Sequence, residues 1–229
     1  MPLLCKNCGS ALQGGDEAAI FLCPACGLAY EAVEGELTNF RPLTASETTE
    51  LAVYGSVQYL AFWRLNVDFS PAPDSAWTRL RKAKSPDPIY LYVPAFTLAR
   101  AMMQRIGVSL AEAQPELELA PGLVPDTGKK PSLVEVGALP APGSPGLAVT
   151  GPDFGTLSPV VVGRTDSHVL AHFLYLAVES YEAPNLRSVD YHLETLGEEL
   201  VFLPAVWDPR YAHDSSWRLL LREFDGRVA

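Results

Sequence analysis

Two hydrophobic rhythms run along this chain. In "YLAFWRLNVDF" (59–69), Trp63, Leu65 and Val67 alternate with Arg64, Asn66 and Asp68. A period of two sends successive side chains to opposite faces, which predicts a half-buried strand. "DPIYLYV" (87–93) predicts a second strand from its β-branched and aromatic residues. From Pro94 the rhythm changes. "PAFTLARAMMQRIG" sets Leu98, Met102, Arg105 and Ile106 near one helical face, with Gly107 placed as a C-terminal cap. "SPVVVG" (158–163) reads as a buried strand, and "TDSHVLAHFLYLAVESY" (165–181) as a helix with Asp166 or Ser167 at its N-cap. "VDYHLETLGEELVFLPAVW" (189–207) suggests two strands turning near Gly197. "DSSWRLLLREF" (214–224) suggests a terminal helix capped by Asp214.

Between these elements the pattern is broken. "RPLTASETTE" (41–50) reads as a polar connection in which Thr44 and Glu47 could form a capping box. Residues 115–159 hold 9 of the 20 prolines and 7 of the 17 glycines, too many for regular elements beyond short strands such as "LVEV" (133–136). The Leu, Val and Phe scattered through this stretch favour an ordered loop over a flexible linker. "LYVPAF" (91–96) is echoed by "VFLPAV" (201–206) and more loosely by "YLAFW" (59–63), and "DSAWTRLR" (74–81) by "DSSWRLLLR" (214–222). The echoes raise the possibility of a duplicated strand–helix unit. The fold class expected is a small β ribbon at residues 1–40 followed by a mixed α/β (α+β) domain at 41–229.

The ribbon is where chemistry enters. "CKNCGSAL" (5–12) is repeated as "CPACGLAY" (23–30), so all four cysteines fall between residues 5 and 26. Cys5, Cys8, Cys23 and Cys26 form two C-x-x-C pairs, a spacing that suits a tetrahedral site of four thiolates. Gly9 and Gly27 follow the second cysteine of each pair, where a tight knuckle needs positive φ. Between the knuckles, "ALQGGDEAAIFL" reads as a hairpin with Gly14-Gly15 at its tip. Structural Zn2+ is the expected ion. Iron is the alternative, because four thiolates hold either metal and "CPACGLAY" resembles a rubredoxin knuckle. A redox pair would call for one C-x-x-C in a βαβ setting, and disulfides for an oxidising compartment.

"CKNCGSAL…CPACGLAY" resembles the zinc ribbons that open many bacterial proteins, where the ribbon is structural or an interaction module. The ribbon followed by a "Y-L-P-F-W"-type strand also resembles an uncharacterised family of bacterial proteins, with Ala61 here in place of the proline. Neither resemblance brings an assigned activity.

Composition narrows the function classes. With 48% apolar and 19% charged residues among 229, the chain has ample core material. A formal charge of -10 weighs against nucleic acid and anionic membrane as partners, and residues 1–44 set two cations against five carboxylates. No apolar stretch is long enough to span a bilayer, and "MPLLCKNCGS" lacks the basic and apolar regions of a secretory signal. Cysteines confined to one short segment point to a reducing, cytoplasmic setting.

No phosphate-binding glycine loop is present, and the Asp, Ser and His of "TDSH" (165–168) are adjacent and cannot converge as a triad. His168 and His172 share a helix face and, with Glu179 or a carboxylate from elsewhere, could hold a second metal. "RLRKAK" (79–84) is a single basic run, and Trp63, Trp77, Trp207 and Trp217 are expected core anchors. These features favour a non-enzymatic adaptor or accessory subunit that binds another protein. A zinc-ribbon factor associated with nucleic acid, or a rubredoxin-like iron carrier, is the alternative.

Overall fold

A computed structural model describes residues 3–46, 57–70, 77–78, 88–98, 100–123, 156–182, 191–207 and 217–221. The chain is a mixed α/β protein with a small antiparallel sheet, a larger mixed sheet and, among the described residues, two helices of more than three turns. The small sheet has the order β1 (Ile20–Leu22), β2 (Ala29–Val33), β3 (Glu36–Phe40). The large sheet is built on β5 (Val57–Ser70) and β9 (His192–Trp207), which pair antiparallel along their whole length.

Each long strand is flanked on its outer side by short ones. Strand β5 pairs with β6 (Ile89–Pro94) and with β8 (Thr156–Leu157). Strand β9 pairs in parallel with β4 (Leu43–Ala45), which pairs in turn with β7 (Leu119–Pro121), and farther along with β10 (Trp217–Leu219).

The strand expected at 59–69 is present, and it is half-buried only from Arg64 onward. From Tyr59 to Trp63 every residue is buried, because each face of the sheet carries its own core. One core takes Tyr59, Ala61, Trp63, Leu65, Val67 and Phe69 from β5, and the other takes Leu60 and Phe62. Helix α2 (Arg164–Glu182) lies against the first through Ala171, Leu174, Tyr175 and Val178. Helix α1 (Arg100–Ala113) touches both, giving Val108 and Ala111 to the first and Ile106 and Leu110 to the second. Trp63 and Trp77 are fully buried anchors as expected, whereas the side chains of Trp207 and Trp217 lie outside the described set.

Several local expectations yield to long-range pairing. Helix α1 begins at Arg100, after β6 has ended at Pro94, and runs through Gly107 to Ala113. Gly107 is therefore no cap; a Cβ there would stand 2.4 Å from Leu174 Cδ2, so glycine is what lets α1 approach α2. Residues 192–207 form one strand rather than two, with the register slipping opposite Asn66/Val67, next to Gly197. "WRL" at 217–219 is a strand on β9 rather than part of a terminal helix. Of the two echoed stretches, 74–76, 79–81, 214–216 and 222 lie outside the described residues. Thr44 lies in β4, where its hydroxyl donates to Gly122 O at 2.7 Å, rather than capping a helix.

The segment 158–163 is extended and mostly a seam rather than a sheet strand. Ala19 N and Ile20 N both donate to Val160 O, Val161 N donates to Ala95 O, and Trp63 Nε1 donates to Val162 O. It ties the small sheet to the large one. On the side of β6 away from β5, Gln114 imitates a strand: its Oε1 accepts from Tyr90 N at 2.9 Å and its Nε2 donates to Tyr90 O at 2.8 Å. Glu47, "RLRKAK" (79–84), "LVEV" (133–136) and Asp214 lie outside the described residues, as does most of 115–159.

Candidate metal centre

The period of two in the small sheet decides what each of its faces does. In register, Ile20 faces Glu31, Leu22 faces Ala29, and Phe21 faces Tyr30. Ile20, Leu22 and Ala29 join the main core. On the opposite face Tyr30 packs with Cys5 and Cys23, with Leu12, Phe21, Cys26, Leu28 and Leu37 around them. One sheet thus serves a large apolar core on one side and four cysteines on the other.

The two knuckles are built alike. Cys5 N donates to Ser10 O and Gly9 N to Cys5 O; Cys23 N donates to Leu28 O and Gly27 N to Cys23 O, all at 2.8–2.9 Å. Both turns close on a glycine in the left-handed region, φ 76° at Gly9 and 68° at Gly27, as the sequence predicts. The hairpin between them turns slightly later than expected, with Ala18 N donating to Gly15 O.

The four Sγ atoms lie within 4.8 Å of one another. Two pairs cross between the knuckles: Cys5 to Cys26 at 3.5 Å and Cys8 to Cys23 at 3.4 Å. These separations are far beyond a covalent S–S bond of about 2 Å, and all four are free thiols. Four sulfurs at about 2.3 Å from one ion would stand roughly 3.8 Å apart, so the cluster fits a tetrahedral ion with small adjustments. Cys5 and Cys23 are buried, Cys26 is partly so, and Cys8 is exposed.

The sulfurs are electrostatically unequal. Burial pushes the Cys23 thiol up to about 12. Burial acts the same way on Cys5, but the Tyr30 hydroxyl, 3.0 Å away, and backbone amides of the knuckle outweigh it and bring that thiol down to about 6. Tyr30 itself is raised to about 12, first by its bond to Cys5, so it remains the donor. Hydrogen bonds from Ser10 lower Cys8.

No sequence motif marks Tyr30 or Glu31 beside it, although the alternation in "AYEAV" puts them on opposite faces. Glu31 is buried, and its Oε1 accepts from Arg164 N at 2.8 Å. The first turn of α2 is thus met by a residue of the small sheet, rather than by Asp166 or Ser167. Arg164 also holds Glu198, Nη1 to Oε1 at 2.6 Å, and its guanidinium stands 5.1 Å from the Phe40 ring centroid.

Among the described residues, His168, His172 and Glu179 do not gather into a second site. His168 Nε2 lies 3.5 Å from Glu198 Oε2, His172 Nδ1 lies 3.1 Å from the Tyr191 hydroxyl, and Glu179 accepts from Trp77 N. Among the described residues, the four cysteines are the one group of three or more potential ligands gathered closely enough for an ion. No helix among them is long and apolar enough to cross a membrane. The chain matches no protein-family model, no curated protein and no solved structure with which it was compared.

Proposed function

We propose that Cys5, Cys8, Cys23 and Cys26 hold one structural Zn2+ and that the protein is a non-enzymatic adaptor or accessory subunit. The observation that carries the metal reading is the convergence of four free sulfurs on two identically closed knuckles. Four thiolates complete a tetrahedron and leave no open position for substrate or water, which suits a structural ion better than a catalytic one. The ion would supply folding free energy to a sheet whose strands are three to five residues long. The small sheet would then be the zinc ribbon of residues 1–40, in a reducing cytoplasm that keeps its thiols available.

A protein partner is supported by Val169 and Phe173, 56% and 54% exposed one turn apart on α2. Charge supports the same choice over nucleic acid, since a chain of formal charge -10 does not gather a polyanion through its overall field.

Elemental analysis and a visible spectrum of the protein as isolated test the metal. One zinc per chain and no colour are expected; a red protein containing iron would replace this reading with an electron carrier. Affinity purification from native cells tests the adaptor role, with a stoichiometric protein partner expected. Recovery of a lone monomer, or binding to DNA or RNA that weakens steeply with salt, would overturn it.

A further inference from the structure

We propose that Glu31 is a positioning residue for the metal centre, acting through β2 from the face opposite the sulfurs. The inference rests on the metal reading above. Tyr30 and Glu31 are neighbours whose side chains leave the strand in opposite directions. The Tyr30 hydroxyl lies 3.0 Å from Cys5 Sγ, and to a thiolate ligand it can only donate. Glu31 is engaged through both carboxylate oxygens, Oε1 with Arg164 N at 2.8 Å and Oε2 with Arg164 Nε at 3.5 Å. The start of α2, positive through its unpaired amides, is a favourable place for a carboxylate.

The approach is close enough to restrict the residue before it. A Cβ on Gly163 would stand 3.1 Å from Glu31 Oε1. Arg164 is fixed in turn by Glu198 on β9 and by the rings of Phe40 and Trp63, 5.1 and 5.6 Å from its guanidinium carbon. Glu31 therefore holds the roll of β2 against a rigid anchor. That roll sets where the Tyr30 hydroxyl meets Cys5. A donor to a ligating thiolate orients the sulfur and tempers its charge, so losing its alignment weakens the hold on the ion. Linkage makes the effect reciprocal, and the occupied site in turn steadies the first turn of α2.

The test is zinc affinity of the full chain by chelator competition, with the cobalt-substituted spectrum as a second readout. Y30F is expected to weaken zinc about tenfold and to move the sulfur-to-cobalt charge-transfer band to longer wavelength. E31Q keeps its volume and is expected to weaken zinc about fivefold with a band shift of the same sign. In a Y30F background E31Q should add nothing, because its route to the metal is gone. E198Q removes the other charge beside Arg164 but keeps an oxygen that accepts from its Nη1, so the anchor stays in place and zinc affinity should remain within twofold of the wild type. Should E31Q fold poorly, G163A displaces the same carboxylate and is expected to weaken zinc less, in the same direction.

Zinc held equally tightly by E31Q, or by G163A where that variant stands in, overturns the inference, as does an equal loss in E198Q. Zinc lost by E31Q undiminished in the Y30F background also overturns it. A wild-type chain that takes up no metal overturns the metal reading itself, and the two failures are thereby told apart.

Discussion

The small sheet and the β5–β9 pair reach order by opposite routes. Strands β5 and β9 are 14 and 16 residues long, pair over their full length and carry an apolar core on each face. The small sheet has strands of three to five residues, and its cysteine face buries only Cys5, Cys23 and Tyr30. Apolar burial at about 25 cal/mol per Å² is the main source of order for the first, whereas on the proposed reading an ion held by the four cysteines cross-links the second. What the two share is the face bearing Ile20, Leu22 and Ala29, which is built into the core of the large sheet.

The sharpest break in this contrast comes from the sulfurs. Replacing Cys5 and Cys23 together by Ser is expected to abolish metal binding, a loss on the order of 10 kcal/mol by comparison with small zinc modules. Hydrogen exchange should then show residues 20–40 opened while 57–70 and 192–207 keep their protection. Equal loss in both regions would erase the distinction.

Trp63→Ala attacks the other side. Trp63 is fully buried, donates to Val162 O and packs against Phe40 of the small sheet at 5.8 Å between ring centroids. Its truncation is expected to cost about 3–5 kcal/mol in denaturant unfolding, with both regions losing protection together. The smallest expected effect is at the knuckles. Neither Gly9 nor Gly27 would meet a neighbour closer than 3.6 Å through an added Cβ, so alanine there pays only for positive φ. Each substitution should weaken zinc by about 1–2 kcal/mol, a factor of roughly 5–30, and leave the unfolding of β5 and β9 unchanged.

What the sequence disclosed follows from how local each determinant is. The knuckles, α2, β6 and the exposed half of β5 are written in residues a few positions apart, and each stands where the pattern placed it. Trp217–Leu219 looked helical because its pairing partner is Ala205–Trp207 on β9, which no local window contains. Thr44 became a strand residue for the same reason, lying between β9 and β7. Gly197 looked like a turn and instead adjoins a slip in register within one strand, whose continuity is imposed by β5 alongside. At the candidate metal centre the four cysteines were legible, but Tyr30 and Glu31 were not. Their partners lie 25 and 133 positions away, so only the folded chain reveals what each one grips.

The side chain of Gln114 at the rim of β6 has a consequence for how this protein meets others. Because its amide already occupies the main-chain donor and acceptor of Tyr90, an incoming strand finds that rung of the ladder taken. Edge-to-edge growth into fibres or swapped dimers is blocked at that point, at the cost of one glutamine. A partner that lengthens the sheet by adding its own strand must therefore enter elsewhere.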